Sequence, residues 1–138
     1  MTKQGVLIRL AAAAVILGAA TLAMAQGMGP QHRIYDPATV TTIRGEVVGV
    51  HVWAPRGRVH ILELRVRHEG GVTMVHLGPV LFVRQEGFQF RRGDHVEVTG
   101  SKVTTQHYHY IVAREVVKDG KTLTLRDEQG RPAWAGRR

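Results

Sequence analysis

After Thr39 the chain alternates Val, Ile, Leu and Thr with polar residues at a period of two, and short glycine-containing clusters interrupt the alternation. That period places successive side chains on opposite faces of a sheet, so it predicts strands with one face buried. The strands so marked run Thr41 to Val52, Arg58 to His68, Val72 to Leu77, His95 to Val103, Tyr108 to Lys118 and Lys121 to Arg126. Ala54-Pro55-Arg56-Gly57, Glu69-Gly70-Gly71, Arg92-Gly93-Asp94 and Lys118-Asp119-Gly120 separate them with turn-forming residues. One interval departs from the pattern. Val80 to Glu86 does not alternate, and Pro79 before it and Gly87 after it are the residues that start and stop a short helix.

Three strands, a short helix and then further strands is the order of an OB-fold. The sequence therefore predicts an all-β domain, a small OB-fold-like barrel of five to six strands with one short helix between strands three and four. In such a barrel the long first strand bends to serve both halves of the sheet, and Gly45 and Gly49 supply the positions for the bend. The competing arrangement, a sandwich of seven strands, needs more chain than is present. The barrel domain is predicted over residues 39–138, with the last hairpin added to the five-stranded core. Residues 26–38 carry Gly27, Gly29, Pro30 and Pro37 without periodicity and read as an irregular leader.

The first twenty-five residues have their own logic. Lys3 and Arg9 precede an apolar run from Leu10 to Leu22 that closes on Ala23-Met24-Ala25. This is the pattern of a secretory signal peptide cleaved after Ala25, and the run is short for a membrane anchor. The expected location is periplasmic or secreted, with no transmembrane span after cleavage. The sequence has no cysteine, so packing and backbone pairing must hold the domain. With Lys3 and Arg9 removed, seventeen basic residues face eleven acids, a formal charge of +6. Such a surface favours anionic partners.

Tyr35-Asp36-Pro37-Ala38-Thr39, Gly45-Glu46-Val47, His76-Leu77-Gly78-Pro79, Gly93-Asp94, Val98-Thr99-Gly100-Ser101, Ala113-Arg114-Glu115-Val116, Leu125-Arg126-Asp127 and Gly130-Arg131-Pro132-Ala133-Trp134 together resemble a group of small exported bacterial OB-fold-like proteins. The resemblance covers nearly the whole chain after the signal peptide. It implies fold and export and carries no catalytic residue.

Two histidine pairs are candidate metal ligands. If the first hairpin turns at Ala54 to Gly57, His51 and His60 face each other across the strands with Cβ atoms about 5 Å apart. His107 and His109, one residue apart, share a strand face, and the two pairs lie toward the same end of an OB barrel. They are candidates for zinc, copper or nickel. Against this, no cysteine accompanies them, and neither Glu46 nor Glu63 stands at a metal-ligand spacing. His76 differs. Alternation turns Val75 and Leu77 inward and His76 onto the sheet surface, where a partner contact suits it better than metal.

The same surface offers a binding face. Trp53, Arg56 and Arg58 cluster at the first turn, Arg65 and Arg67 share one face of the second strand, and Tyr108 lies near the opposing loop. Aromatic rings beside guanidinium groups are how OB-folds hold anionic chains. The simpler account of Arg65 and Arg67 is the solvated face of a half-buried strand. Enzyme chemistry lacks support, since there is no cysteine nucleophile, no serine elbow and no phosphate loop, and Ser101 is the only serine. Trp134 is expected to cover the open edge of the barrel. The sequence thus points to an exported non-catalytic module that recognises an envelope protein or an anionic polymer through its basic and aromatic face, with no cofactor required. The alternative is a periplasmic metal-binding protein. Export makes nucleic acid an unsuited natural partner.

Overall fold

The computed structural model describes residues 34–57 and 59–136. The expected signal peptide, most of the expected leader, Arg58 and the side chain of Arg56 lie outside the described residues. Among the described residues six strands form, β1 (Val40–Trp53), β2 (Ile61–His68), β3 (Gly71–Pro79), β4 (His95–Thr104), β5 (His109–Lys118) and β6 (Lys121–Thr124), with an α-helix, α1 (Val80–Gln85), between β3 and β4. They pair in the order β3-β2-β1-β4-β5-β6, and a parallel β3–β5 pairing closes the first five into a barrel. This is the predicted OB-fold-like architecture, with β6 added on the outer edge of β5. No helix among the described residues is long and apolar enough to cross a membrane.

β1 serves two partners because it bends. Val40 to Glu46 pair with β4, Glu46 to Trp53 pair with β2, and the register slips between Val47 and Gly49. Gly45 sits where the sheet folds over itself, and a Cβ there would run into the Arg67 carbonyl oxygen. Only glycine lets the two backbones come so close. Further slips lie between Leu62 and Glu63 in β2 against β3 and between Thr99 and Gly100 in β4 against β5.

The inward positions of alternation build the core. Val47, Leu62, Leu64, Val66, Val75, Leu77, Val98, Ile111 and Val116 are buried inside the barrel, and Leu123 and Leu125 extend the core under β6. Each such side chain contributes about 1.5–3 kcal/mol by leaving water. α1 plugs one end with Phe82 and Val83 and leaves Leu81 exposed. Its stop is the expected glycine. Gly87 takes a φ of 82°, and its N–H and that of Phe88 return to the carbonyls of Arg84 and Val83.

The chain before β1 is anchored as well. Tyr35 is buried, the Asp36 N–H donates to Ser101 Oγ at 2.9 Å, and Thr39 Oγ1 lies 2.8 Å from the same oxygen. The one serine therefore ties the entry segment to β4. After β6, Asp127 accepts from the N–H groups of Gln129 and Arg131 and from Arg131 Nε. That turn sends Pro132 back to pair with Arg126 and brings Trp134 over the barrel.

Candidate functional site

The outer face of β1, β2, β3 and β5 carries the groups with chemical potential. Register places Gly49, His51 and Trp53 beside Arg65, Glu63 and Ile61, and β3 continues the face with Met74 beside Arg65 and His76 beside Glu63. The parallel closure then sets Tyr110 and Val112 level with Met74 and His76. These positions face outward because Val75, Leu77 and Ile111 take the inward ones.

The Glu63–His76 pair divides the face. His76 Nδ1 lies 2.8 Å from Glu63 Oε1, and the Glu63 side chain is only 8% exposed. Tyr110 packs edge-on against the imidazole at 4.6 Å between ring centres. Burial lowers the His76 pKa below its ordinary 6.5, Glu63 opposes that shift and Arg126 adds to it. The neutral ring therefore prevails in the fold, donating Nδ1–H to the carboxylate. The unfolded chain takes up a proton at 6.5 before the folded one does, so stability is expected to be full above that pH. It should decline as pH falls through 6.5 toward the lower folded-state value. Chemical denaturation at pH 7 and pH 5 checks this, and His76→Phe should flatten that part of the dependence.

On one side of the pair lies an open depression of about 570 Å³ along Gly49, His51, Arg65 and Met74, with Arg92 at its edge. The Arg65 stem lies across Gly49. Arg65 and Arg67 are exposed, and neither forms an ion pair with a carboxylate among the described residues. On the other side lies a cleft of about 340 Å³ between Trp53, Ile61, Tyr110 and Trp134, with Gly78 and Arg126 in its wall. Arg126 Nη1 donates to the carbonyls of Leu77 and Ala113, and the guanidinium sits 5.0 Å from the Trp134 ring centre. Burial lowers its pKa to about 10, which leaves it cationic at neutral pH.

The expected site residues are distributed unevenly on this face. Trp53, Arg65, Arg67 and His76 lie on it, with Arg65 and Arg67 on one strand face and His76 outward as alternation implies, and Tyr108, 68% exposed, lies in the β4–β5 turn. The histidine pairs do not assemble as the spacing suggested. The first connection runs over residues 54–60 with a 3-10 turn at Pro55–Gly57, so its centre moves and His51 faces Glu63 instead of His60. His60 instead lines a groove with Val52, Leu81 and Arg84 at the α1 end. His107 sits in the turn and packs against Tyr108, whereas His109 opens β5 beside Thr104. Among the described residues, no group of three or more His, Asp or Glu side chains is placed to hold a metal ion.

Sequence reasoning misses Glu63 and Arg126 as members of the face and sees only one of the two roles of Trp134. Glu63 alternates like any outward residue, and only the β2–β3 register shows its partner. Arg126 lies at the end of an edge strand, where an arginine normally meets water. Trp134 was expected as a cover, and it does pack on Phe82 at 5.4 Å and over Gly78, while also walling the cleft.

Among solved structures, the N-terminal domain of PriB protein from Thermoanaerobacter tencongensis, described as dimeric, is similar at 14% identity with a TM-score of 0.40, covering 61% of this chain and 99% of that one. No curated protein matches the chain. Residues 39–123, from the turn before β1 into β6, match the MamS/MamX magnetosome protein family. That match takes in the whole five-stranded barrel and more than half of the chain, and the protein belongs to the MamS/MamX magnetosome protein family.

Proposed function

We propose that this protein is an exported, non-catalytic, magnetosome-related binding module that holds an acidic segment of a partner protein on the outer face of β1, β2, β3 and β5. The observation that carries the reading is the pair Arg65 and Arg67, exposed on one strand face with no acid partner among the described residues, with the aromatic cleft farther along the same face, across the Glu63–His76 pair. Two residues along a strand advance about 6.7 Å, the same repeat at which an extended acidic peptide presents alternate carboxylates. Trp53 and Tyr108 stand at two ends of this face, where rings can pack on the peptide's apolar groups. The basic balance of the chain supports an anionic partner, and membership in a magnetosome protein family supports placement at or across a membrane.

Poly-L-glutamate is the test ligand. Binding to the purified chain should weaken steeply as salt rises from 50 to 300 mM, because exposed charge pairs are screened. Arg65→Ala with Arg67→Ala should weaken it about tenfold at the lower salt, the loss of two exposed to partly buried ion pairs. Equal binding by the double variant, with an unchanged unfolding curve, would remove this reading.

A further inference from the structure

Arg126 is held differently from the exposed arginines, against two barrel carbonyls and the Trp134 ring. A guanidinium held largely out of water normally has a carboxylate beside it, because an unmatched buried charge is costly. Here Nη1 is taken by two carbonyls and the Trp134 ring faces the group, yet no carboxylate pairs with it among the described residues. Carbonyl dipoles and a π-face offset only part of the charge. Nε and Nη2 have no hydrogen-bond partner among the described residues, and neither is sealed from solvent without one. Those two nitrogens form the edge of the fork that meets a carboxylate bidentately. Nearby, within electrostatic reach of the guanidinium, the Tyr35 hydroxyl is buried and has no hydrogen-bond partner among the described residues.

The walls narrow the ligand further. Trp53, Ile61, Tyr110, Val112 and Trp134 line a cleft of about 340 Å³ that holds this one cation beside a neutral imidazole. A dianion such as phosphate would leave one negative charge unmatched against apolar walls, whereas a single carboxylate is neutralised. The volume is at the small end of ligand sites. We propose that this cleft is a binding site for an apolar monocarboxylate, with Arg126 as its counter-ion and Trp53, Tyr110 and Trp134 enclosing its apolar body. The chemistry is met equally by the C-terminal residue of a peptide chain and by a small free acid. This site deepens the proposed binding function, and it rests on that reading in using the same outer face.

Trp53 and Trp134 are the only tryptophans in the chain, so intrinsic fluorescence reports on this cleft directly. Titration of the purified chain with N-acetyl-L-leucine should give a saturable change in emission. N-acetyl-L-leucinamide, which has the same shape without the charge, should bind at least about tenfold more weakly, and inorganic phosphate should not compete. A pentapeptide ending in leucine that binds more tightly than N-acetyl-L-leucine assigns the site to peptide ends, while hexanoate binding as tightly assigns it to free acids. Arg126→Gln should abolish the response. Because Arg126 also ties two barrel carbonyls, Trp53→Leu serves as the second variant, keeping the fold and weakening the acid several-fold as read from Trp134. Equal affinity for acid and amide, or no saturable change with any of them, would overturn the inference. Poly-L-glutamate run on the same sample separates the two ideas: retained polymer binding with no response to the acid rejects the cleft alone, and loss of both rejects the face as a whole.

Discussion

Gly100→Ala is expected to destabilise the closed barrel strongly. The added Cβ would overlap the Val112 carbonyl oxygen and come within 2.8 Å of the Ala113 Cα. Both are backbone atoms of β5, so no side-chain rotation relieves the clash, and the strands must move apart where β4 slips in register. Overpacking of side chains alone costs about 1–3 kcal/mol, and displaced backbone pairing adds to it. A loss of about 3 kcal/mol or more would be a large part of the stability of a small domain. Gly45→Ala should behave alike, since its Cβ would strike the Arg67 carbonyl oxygen. Gly49→Ala is the control, because its Cβ would meet only the flexible Arg65 stem at 3.3 Å and beyond, and it should change stability by less than about 1 kcal/mol. Thermal unfolding followed by circular dichroism reads all three. A Gly100→Ala protein that melts with the parent would mean that β4 and β5 approach less closely than described.

Trp134→Ala is expected to lower stability by about 2–3 kcal/mol and to loosen the chain after β6. The ring packs on Phe82, whose own ring plugs the barrel, and faces the Arg126 guanidinium. It also lies over Gly78, where a Cβ would come within 2.6 Å of the indole. Removing a fully buried tryptophan costs about 3–5 kcal/mol, and partial exposure here reduces that. Trp134→Phe should recover much of the loss by keeping the contact with Phe82. Amide hydrogen exchange should show residues 125–134 losing protection in the alanine variant before β1 to β5 do. Unchanged protection in that segment would show that the Asp127 turn and the Arg126–Pro132 pairing hold it without the ring.

Local signals carried the architecture. Alternation marks every strand, Pro79 and Gly87 bound the helix, and Gly45 and Gly49 mark the bend in β1, of which only Gly45 stands where a Cβ would strike backbone. The face was legible only where one strand decides it, as for Arg65, Arg67 and the outward turn of His76. Where pairing between strands decides, the local signal fails. His51 meets Glu63 because the first connection extends to residue 60, a length that the turn residues Ala54 to Gly57 do not encode. Tyr110 reaches His76 only through the parallel closure of β3 on β5, whose partners stand far apart in sequence. Arg126 looks like an ordinary surface residue until the segment after it folds back and covers it.

On the proposed function, an acidic protein segment lies along the outer face of β1, β2, β3 and β5. The most direct measurement is a two-dimensional NMR titration of the nitrogen-15-labelled chain with poly-L-glutamate at low salt. Progressive shifts are expected at the amides of Arg65, Arg67, Met74 and His76 and at the Trp53 indole, reversed by added salt. Shifts confined to β6 and α1, or no shifts at all, would contradict it.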